Sequence, residues 1–396
     1  MREFDITLFG ATGFTGKLTA QQLASKRNKE DFSLAISGRN KGKLYSLKFE
    51  LEKKYPGSEI NIIIADVEEE PSIRKMAESS KVLISTVGPY IQYGEVVVKA
   101  CVIYGTHYLD ITGEGAFVDQ IERKYHQQAI QSESKIINCC GYDSIPADLG
   151  AYFTNKLLPE DEKKEIECFI SVDSRDLLSL YTSVSGGTWH TAIDFIMNKR
   201  EMERQSNSYK RINYASHPRN ISALPFEFRY REDSNTFGIP LPVVDVEIVL
   251  RSALNLPEYG SNFSYGHFLS IKGLPNFLTG LFGFSAFFGV AQIPYIKDIL
   301  YSLKSSGDGP EEKIRNTNSF CHSFIGKSNS KSVMATVSGG DPGYGDTSKI
   351  LAESAICILN DPLPDRYGVI TPAFAMGDFL LTRLSENAGI TFDVLH

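Results

Sequence analysis

Three glycines at intervals of three, Gly10, Gly13 and Gly16, follow an apolar run from Phe4 to Phe9 and open a segment with Leu18 and Leu23 on one helical face. Strand, tight turn and helix in that order are the context in which a glycine motif binds phosphate. Gly10 can take the turn's unusual φ, Gly13 has no Cβ to hold a pyrophosphate away, and Gly16 lets helix and strand pack closely. The first helical turn then directs N–H groups and the positive end of the helix dipole at an anion. Gly10, Ala11, Thr12, Gly13, Phe14, Thr15 and Gly16 are therefore the expected seat of a dinucleotide pyrophosphate.

The next apolar run, Ser33 to Ser37, ends where NAD-dependent enzymes usually place a carboxylate for the ribose diol. Here that end reads Ser37-Gly38-Arg39-Asn40, with Lys43 one helical turn later. No acid is present, and a guanidinium pairs with a 2′-phosphate through two parallel hydrogen bonds, so NADP(H) is expected over NAD(H). Asp66, after a third run from Ile60 to Ala65, stands where an adenine ring is commonly edged. A fourth run, Val82 to Val87, passes into Gly88-Pro89-Tyr90, so Val87, Gly88, Pro89 and Tyr90 are expected beside the nicotinamide half.

Three side chains are candidates for proton transfer: Tyr90, Glu114 and His190. Each has a structural alternative. Tyr90 and Tyr93 can equally pack. Asp110 and Glu114 can form an acid/base pair, but a strand-loop-helix junction also needs acceptors for its backbone N–H groups, which favours capping. His190 follows the loop Ser185-Gly186-Gly187-Thr188 at an apparent helix start, and its ordinary pKa suits a proton donor as well as a capping residue.

These residues need a scaffold. Further strands are read at Tyr108 to Thr112 and Ile136 to Cys140, with helices over Lys41 to Tyr55, Glu95 to Tyr104 and Phe117 to Ser132. Six strands alternating with helices over residues 1–150 spell an α/β fold, a doubly wound parallel Rossmann sheet that binds NADP(H). Residues 151–350 read as a mixed α/β substrate or dimerisation domain, with strands at Glu165 to Val172, Val243 to Leu250 and Lys331 to Val337. The glycine-rich stretch Ser338 to Gly345 is a substrate loop or a structural turn. Residues 351–396 hold C-terminal helices expected to pack back on the core.

The 396 residues are too many for one ordinary domain and carry enough apolar content, 42%, for two cores. A net charge of −7 with dispersed bases argues against a nucleic-acid partner. Cys101, Cys139, Cys140, Cys168, Cys321 and Cys357 show no C-x-x-C spacing, so they read as buried thiols in a reducing compartment, and no metal site is expected. Met1 to Asp5 shows neither a signal-peptide h-region nor transit character, so a cytoplasmic address is expected.

Gly10 to Gly16, Ser37-Gly38-Arg39, Val87-Gly88-Pro89-Tyr90 with Gly94 and Val97 to Cys101, Asp110 to Glu114 and Asp143 to Gly150 together resemble the saccharopine dehydrogenase-like oxidoreductase family, whose bacterial branch is called trans-acting enoyl reductase. Gly187-Thr188, Asp341 to Gly345 and Thr371 to Asp378 extend the resemblance over nearly the whole length. It implies an NADP-dependent Rossmann protein whose relatives act on lipid or polyketide chains or have no settled substrate.

The segment 273–296 carries no charge and is dense in Phe and Leu, yet Pro275 and Pro294 bracket it and several glycines interrupt it. It reads as an interfacial or acyl-chain-contacting segment ahead of a buried core or dimer helix, and least as a membrane span. The expected activity is reduction of an enoyl or keto group of a small-molecule, lipid-like or polyketide-like substrate, in the cytoplasm or peripheral to a membrane or lipid droplet, with a homodimer possible. A saccharopine-type amino-acid dehydrogenase and a non-catalytic NADP-binding lipid-droplet protein are the alternatives.

Overall fold

The computed structural model describes residues 2–27, 29–172, 218–232, 234–279, 312–315 and 317–395. His190, the Ser185 to Thr188 loop and residues 280–296 of the apolar segment lie outside them. The chain divides into two compact units, residues 1–145 with 342–390 and residues 146–341 with 391–396.

In the first unit β1 (Phe4–Phe9), β2 (Leu34–Gly38), β3 (Ile60–Ile64), β4 (Ser80–Ser85), β5 (His107–Asp110) and β6 (Lys135–Ile137) alternate with α1 (Phe14–Lys26), α2 (Lys41–Lys54), α3 (Glu70–Ser79), α4 (Tyr90–Tyr104) and α5 (Gly115–Gln131). Helices on both faces bury a parallel sheet from two sides, which is why β1, β2 and β4 are continuous apolar runs. Ile6, Leu8, Leu34, Ile36, Val82 and Ile84 are all fully buried. The strand order is β3-β2-β1-β4-β5-β6, extended beyond β6 by Gly368–Ile370 as a seventh strand. Order reverses between β1 and β4, which pair in parallel from Phe4↔Ser80 to Phe9↔Ser85. That reversal opens a crevice at the strands' carboxyl ends, the place where α/β sheets bind ligands. The expected doubly wound sheet is thus present, and the C-terminal helices Thr347–Asn360 and Pro372–Asn387 belong to this same unit.

The second unit is built on a mixed sheet. β7 (Lys164–Val172) is central, antiparallel to β12 (Phe320–Lys327) and parallel to β11 (Asn262–Lys272). β8 (Asn220–Ala223), β9 (Arg229–Arg231) and β10 (Thr236–Pro240) lie beyond β11, and β13 (Ser332–Gly339) with Thr391–Leu395 beyond β12. One expectation is corrected here. Val243 to Leu250 is not a strand but the start of a helix, Val244–Asn255. Every residue from Val244 to Ala253 is buried, the charged Asp245, Glu247 and Arg251 included, and the alternation of Val244, Val246 and Ile248 with Asp245 and Glu247 has the two-residue period of a strand.

Candidate cofactor site

The glycine loop is fixed by its own backbone. The N–H groups of Gly10 and Ala11 both donate to the Ser37 carbonyl, at 3.0 and 3.1 Å, and Gly13 N–H donates to the Gly10 carbonyl at 2.9 Å. Gly10 has φ +84°, and a Cβ there would come within 2.7 Å of Thr86 Oγ1. A Cβ on Gly16 would overlap the Gly10 carbonyl, lying 2.9 Å from its carbon. Above Gly13, by contrast, a Cβ would meet only the Gly10 oxygen at 3.3 Å, and above Gly38 only Thr12 Oγ1 at 4.0 Å. The loop is therefore closed toward the protein at Gly10 and Gly16, tight at Gly13 and open at Gly38.

Among the described residues no side chain caps α1, and no acid stands in its first turn, so its positive end suits an anion. Phe14 turns its ring edge-on against Tyr344, 4.9 Å away. Ser37 contributes its carbonyl, whereas its buried hydroxyl has no hydrogen-bond partner. Arg39 is exposed directly after β2 and, among the described residues, forms no ion pair. The open face at Gly38, the uncapped helix and the free guanidinium fit a dinucleotide carrying an extra phosphate. Asn40 and Asp66 have local duties: Asn40 Oδ1 caps α2 by accepting from Lys43 N–H at 2.9 Å, and Asp66 Oδ1 accepts from Glu68 N–H at 3.2 Å. Val87 lies against Gly10, and Gly88 and the cis-linked Pro89 are exposed at the switch point.

Two candidate proton donors have structural partners. Tyr90 is 6% exposed, donates its hydroxyl to the Ser85 carbonyl at 3.1 Å and packs against Phe117. Burial pushes its phenol well above the usual range, and the ring is part of the core. Glu114 accepts from the N–H groups of Tyr90 and Ile91, both at 2.9 Å, one with each carboxylate oxygen. It caps α4 across space, because Pro89 at the helix entrance brings no side-chain acceptor.

Asp110, the other acid of the expected pair, was not singled out as the organiser it is. Its Oδ1 accepts from Thr112 and Cys139 N–H at 3.1 and 3.0 Å, and its Oδ2 from Asn138 Nδ2 at 2.6 Å. It thereby holds Cys139 at φ +62°, a conformation that β-carbon-bearing residues seldom adopt. Burial pushes the carboxyl up to about 6 despite these donors. Because the folded state binds this proton more tightly than an unfolded chain does, the native protein is expected to lose about 2 kcal/mol from this group as pH rises from 4 to 7. Asp110→Asn, accommodated by rotation of the Asn138 amide whose Oδ1 has no partner among the described residues, should remove that part of the slope in urea titrations at stepped pH and leave the part from Asp143, whose carboxyl burial also pushes up to about 6.

The family profile for the saccharopine dehydrogenase NADP binding domain matches residues 6–137. A saccharopine dehydrogenase-like oxidoreductase of Bos taurus is 30% identical over 100% of this chain and 98% of its own length. A Mycobacterium tuberculosis protein provisionally named a trans-acting enoyl reductase is 31% identical over 98% of this chain and 97% of its own. A lipid droplet localized protein of Caenorhabditis elegans is 29% identical over 100% and 99%. The fold and the glycine cradle define an NADP(H)-binding oxidoreductase domain. The chain belongs to the saccharopine dehydrogenase-like oxidoreductase family.

Proposed function

We propose that the protein is an NADPH-dependent reductase of an enoyl or keto group on a lipid- or polyketide-like substrate, working in the cytoplasm or at the periphery of a membrane or lipid droplet. The observation that carries the cofactor half is the acid-free end of β2, where exposed Arg39 meets the open face of Gly38. In this reading the first-turn N–H groups of α1 hold the pyrophosphate, Arg39 forks the 2′-phosphate, and Val87, Gly88 and Pro89 border the nicotinamide. NADPH, when bound, supplies the hydride. Of the three proton donors considered, Tyr90 and Glu114 have structural hydrogen bonds, and His190 lies outside the described residues.

For the substrate half, the names of the bacterial and nematode relatives point to acyl chains and lipid surfaces. The second unit supports them with an aromatic surface. Phe226, Phe228 and Tyr230 are each more than half exposed, as is Leu274. Phe228 and Phe237 both pack on Phe277, inside the uncharged segment 273–296. We read this surface and segment as a peripheral lipid contact; among the described residues no helix is long and apolar enough to cross a membrane. The amino-acid dehydrogenase alternative needs bases gathered for several carboxylates. Here Lys164, Arg219, Arg229 and Arg251 are instead engaged with protein carbonyls and with Glu167 and Glu247.

A non-catalytic NADP-binding role at a lipid surface is the second reading, favoured by the structural engagement of Tyr90 and Glu114. NADPH oxidation with long-chain enoyl thioesters, set against amino-acid and keto-acid mixtures, decides between them: turnover with thioesters alone is expected, and silence on both panels removes the reductase. Liposome flotation with and without 273–296 tests the lipid contact, and sizing of the same two proteins tests self-association through that segment. Arg39→Asp is expected to weaken NADPH binding by about 30- to 100-fold, from lost charge-assisted hydrogen bonds and added repulsion, while leaving NADH binding equal or tighter by calorimetry.

A further inference from the structure

Three polar residues far apart in sequence meet inside the second unit. Cys168 on β7, His267 on β11 and His322 on β12 are 0%, 4% and 1% exposed. The register pairs His267 with Cys168 and His322 with Ile170, two residues along the same strand face, so all three side chains project from one side of the sheet. One ligand atom from each lies within 4.8 Å of the others, and Cys168 Sγ is 3.8 Å from His322 Nδ1. We propose that Cys168, His267 and His322 form a buried binding site for a zinc-class divalent metal ion.

The separations carry the argument. Metal–ligand bonds of about 2.3 Å to sulfur and about 2.05 Å to nitrogen in a tetrahedron set Sγ and N about 3.6 Å apart and two nitrogens about 3.3 Å apart. The Cys168–His322 distance, 3.8 Å, is within about 0.2 Å of that value. His267 has an outer contact of the kind a ligating imidazole makes: its Nδ1 is 3.0 Å from Tyr265 Oη, which orients the ring. A thiol with two imidazoles is the donor set that zinc and its neighbours prefer to calcium or magnesium. Binding converts the thiol to a metal-bound thiolate and releases its proton to solvent; a water completes the fourth position. With no ligand atom open to solvent, the ion would enter during folding and resist chelators afterwards. The site does not depend on the reductase reading.

Full-length protein expressed with zinc supplementation and passed over chelating resin should hold about one zinc per chain by mass spectrometry. Cobalt-supplemented protein should show a sulfur-to-cobalt charge-transfer band in the near ultraviolet. Cys168→Ser and His322→Asn should lose both signals, whereas Cys321→Ser, on the opposite face of β12, should keep them. The two measurements on the unaltered protein stand even where a variant misfolds. Far less than one metal per chain together with no cobalt band would overturn the proposal and leave the three residues as a buried hydrogen-bonded cluster.

Discussion

Gly16→Ala is expected to abolish measurable NADPH binding, a loss of at least about 100-fold, and to lower stability by about 2 to 4 kcal/mol. The added methyl meets backbone, not a side chain that can swing aside: the Gly10 carbonyl and Ala11 Cα, the latter at 3.0 Å. Relief requires α1 to slide away from β1, and that motion withdraws the N–H groups aimed at the pyrophosphate. Gly38→Ala and Gly13→Ala make the comparison informative, since the added methyl meets nothing nearer than Thr12 Oγ1 at 4.0 Å in the first and only the Gly10 oxygen, at 3.3 Å, in the second. Gly38→Ala should unfold with a nearly unchanged midpoint in guanidinium and Gly13→Ala with a slightly lower one, yet both should bind NADPH at least ten-fold more weakly. Calorimetry and denaturant titration on the three variants separate damage to the fold from obstruction of the ligand. If Gly13→Ala and Gly38→Ala bind NADPH as the parent does, the cofactor does not lie across this loop.

The loop was legible because the order strand, glycine turn, helix is written within a dozen residues, and the apolar runs of β1, β2 and β4 declare burial on both faces. The atoms that close it at Gly10, on Ser37 and Thr86, come from β2 and the end of β4 and are not written there. The roles of Glu114 and Tyr90 depend on contacts across 24 residues and on which way a ring turns, and neither is written in residue type. Val244–Asn255 misled for a related reason: its charged residues are buried with the apolar ones, and Val-Asp-Val-Glu-Ile alternates as a strand does. Cys168, His267 and His322 lack any ligand spacing in the sequence, because three strands from separate parts of the chain supply one each.

The attachment of the C-terminal helices to the first unit has the same non-local character, and it supplies the second large effect. Arg383, on Pro372–Asn387, forks onto Asp361 at 2.6 and 2.9 Å and reaches Glu30 at 2.8 Å and Glu353 at 3.3 Å. Glu353 is fully buried and also pairs with Lys26 on α1. One guanidinium thus joins three carboxylates drawn from the α1–β2 loop, the helix Thr347–Asn360 and the residue after it. Arg383→Met strands those acids around Lys26 alone and should cost about 3 to 5 kcal/mol, a large part of an ordinary domain's stability. The deficit should depend on pH with a definite sign. Without the guanidinium the three acids repel one another, and acid relieves that repulsion, so the gap to the parent narrows as pH falls toward 4. Adding Glu353→Leu removes the buried charge and should recover part of the loss at pH 7, because deleting both partners of a buried pair is cheaper than deleting one. A deficit that is constant across pH, or a double variant no better than Arg383→Met, would mean that Arg383 holds the helices through packing of its alkyl stem rather than through charge.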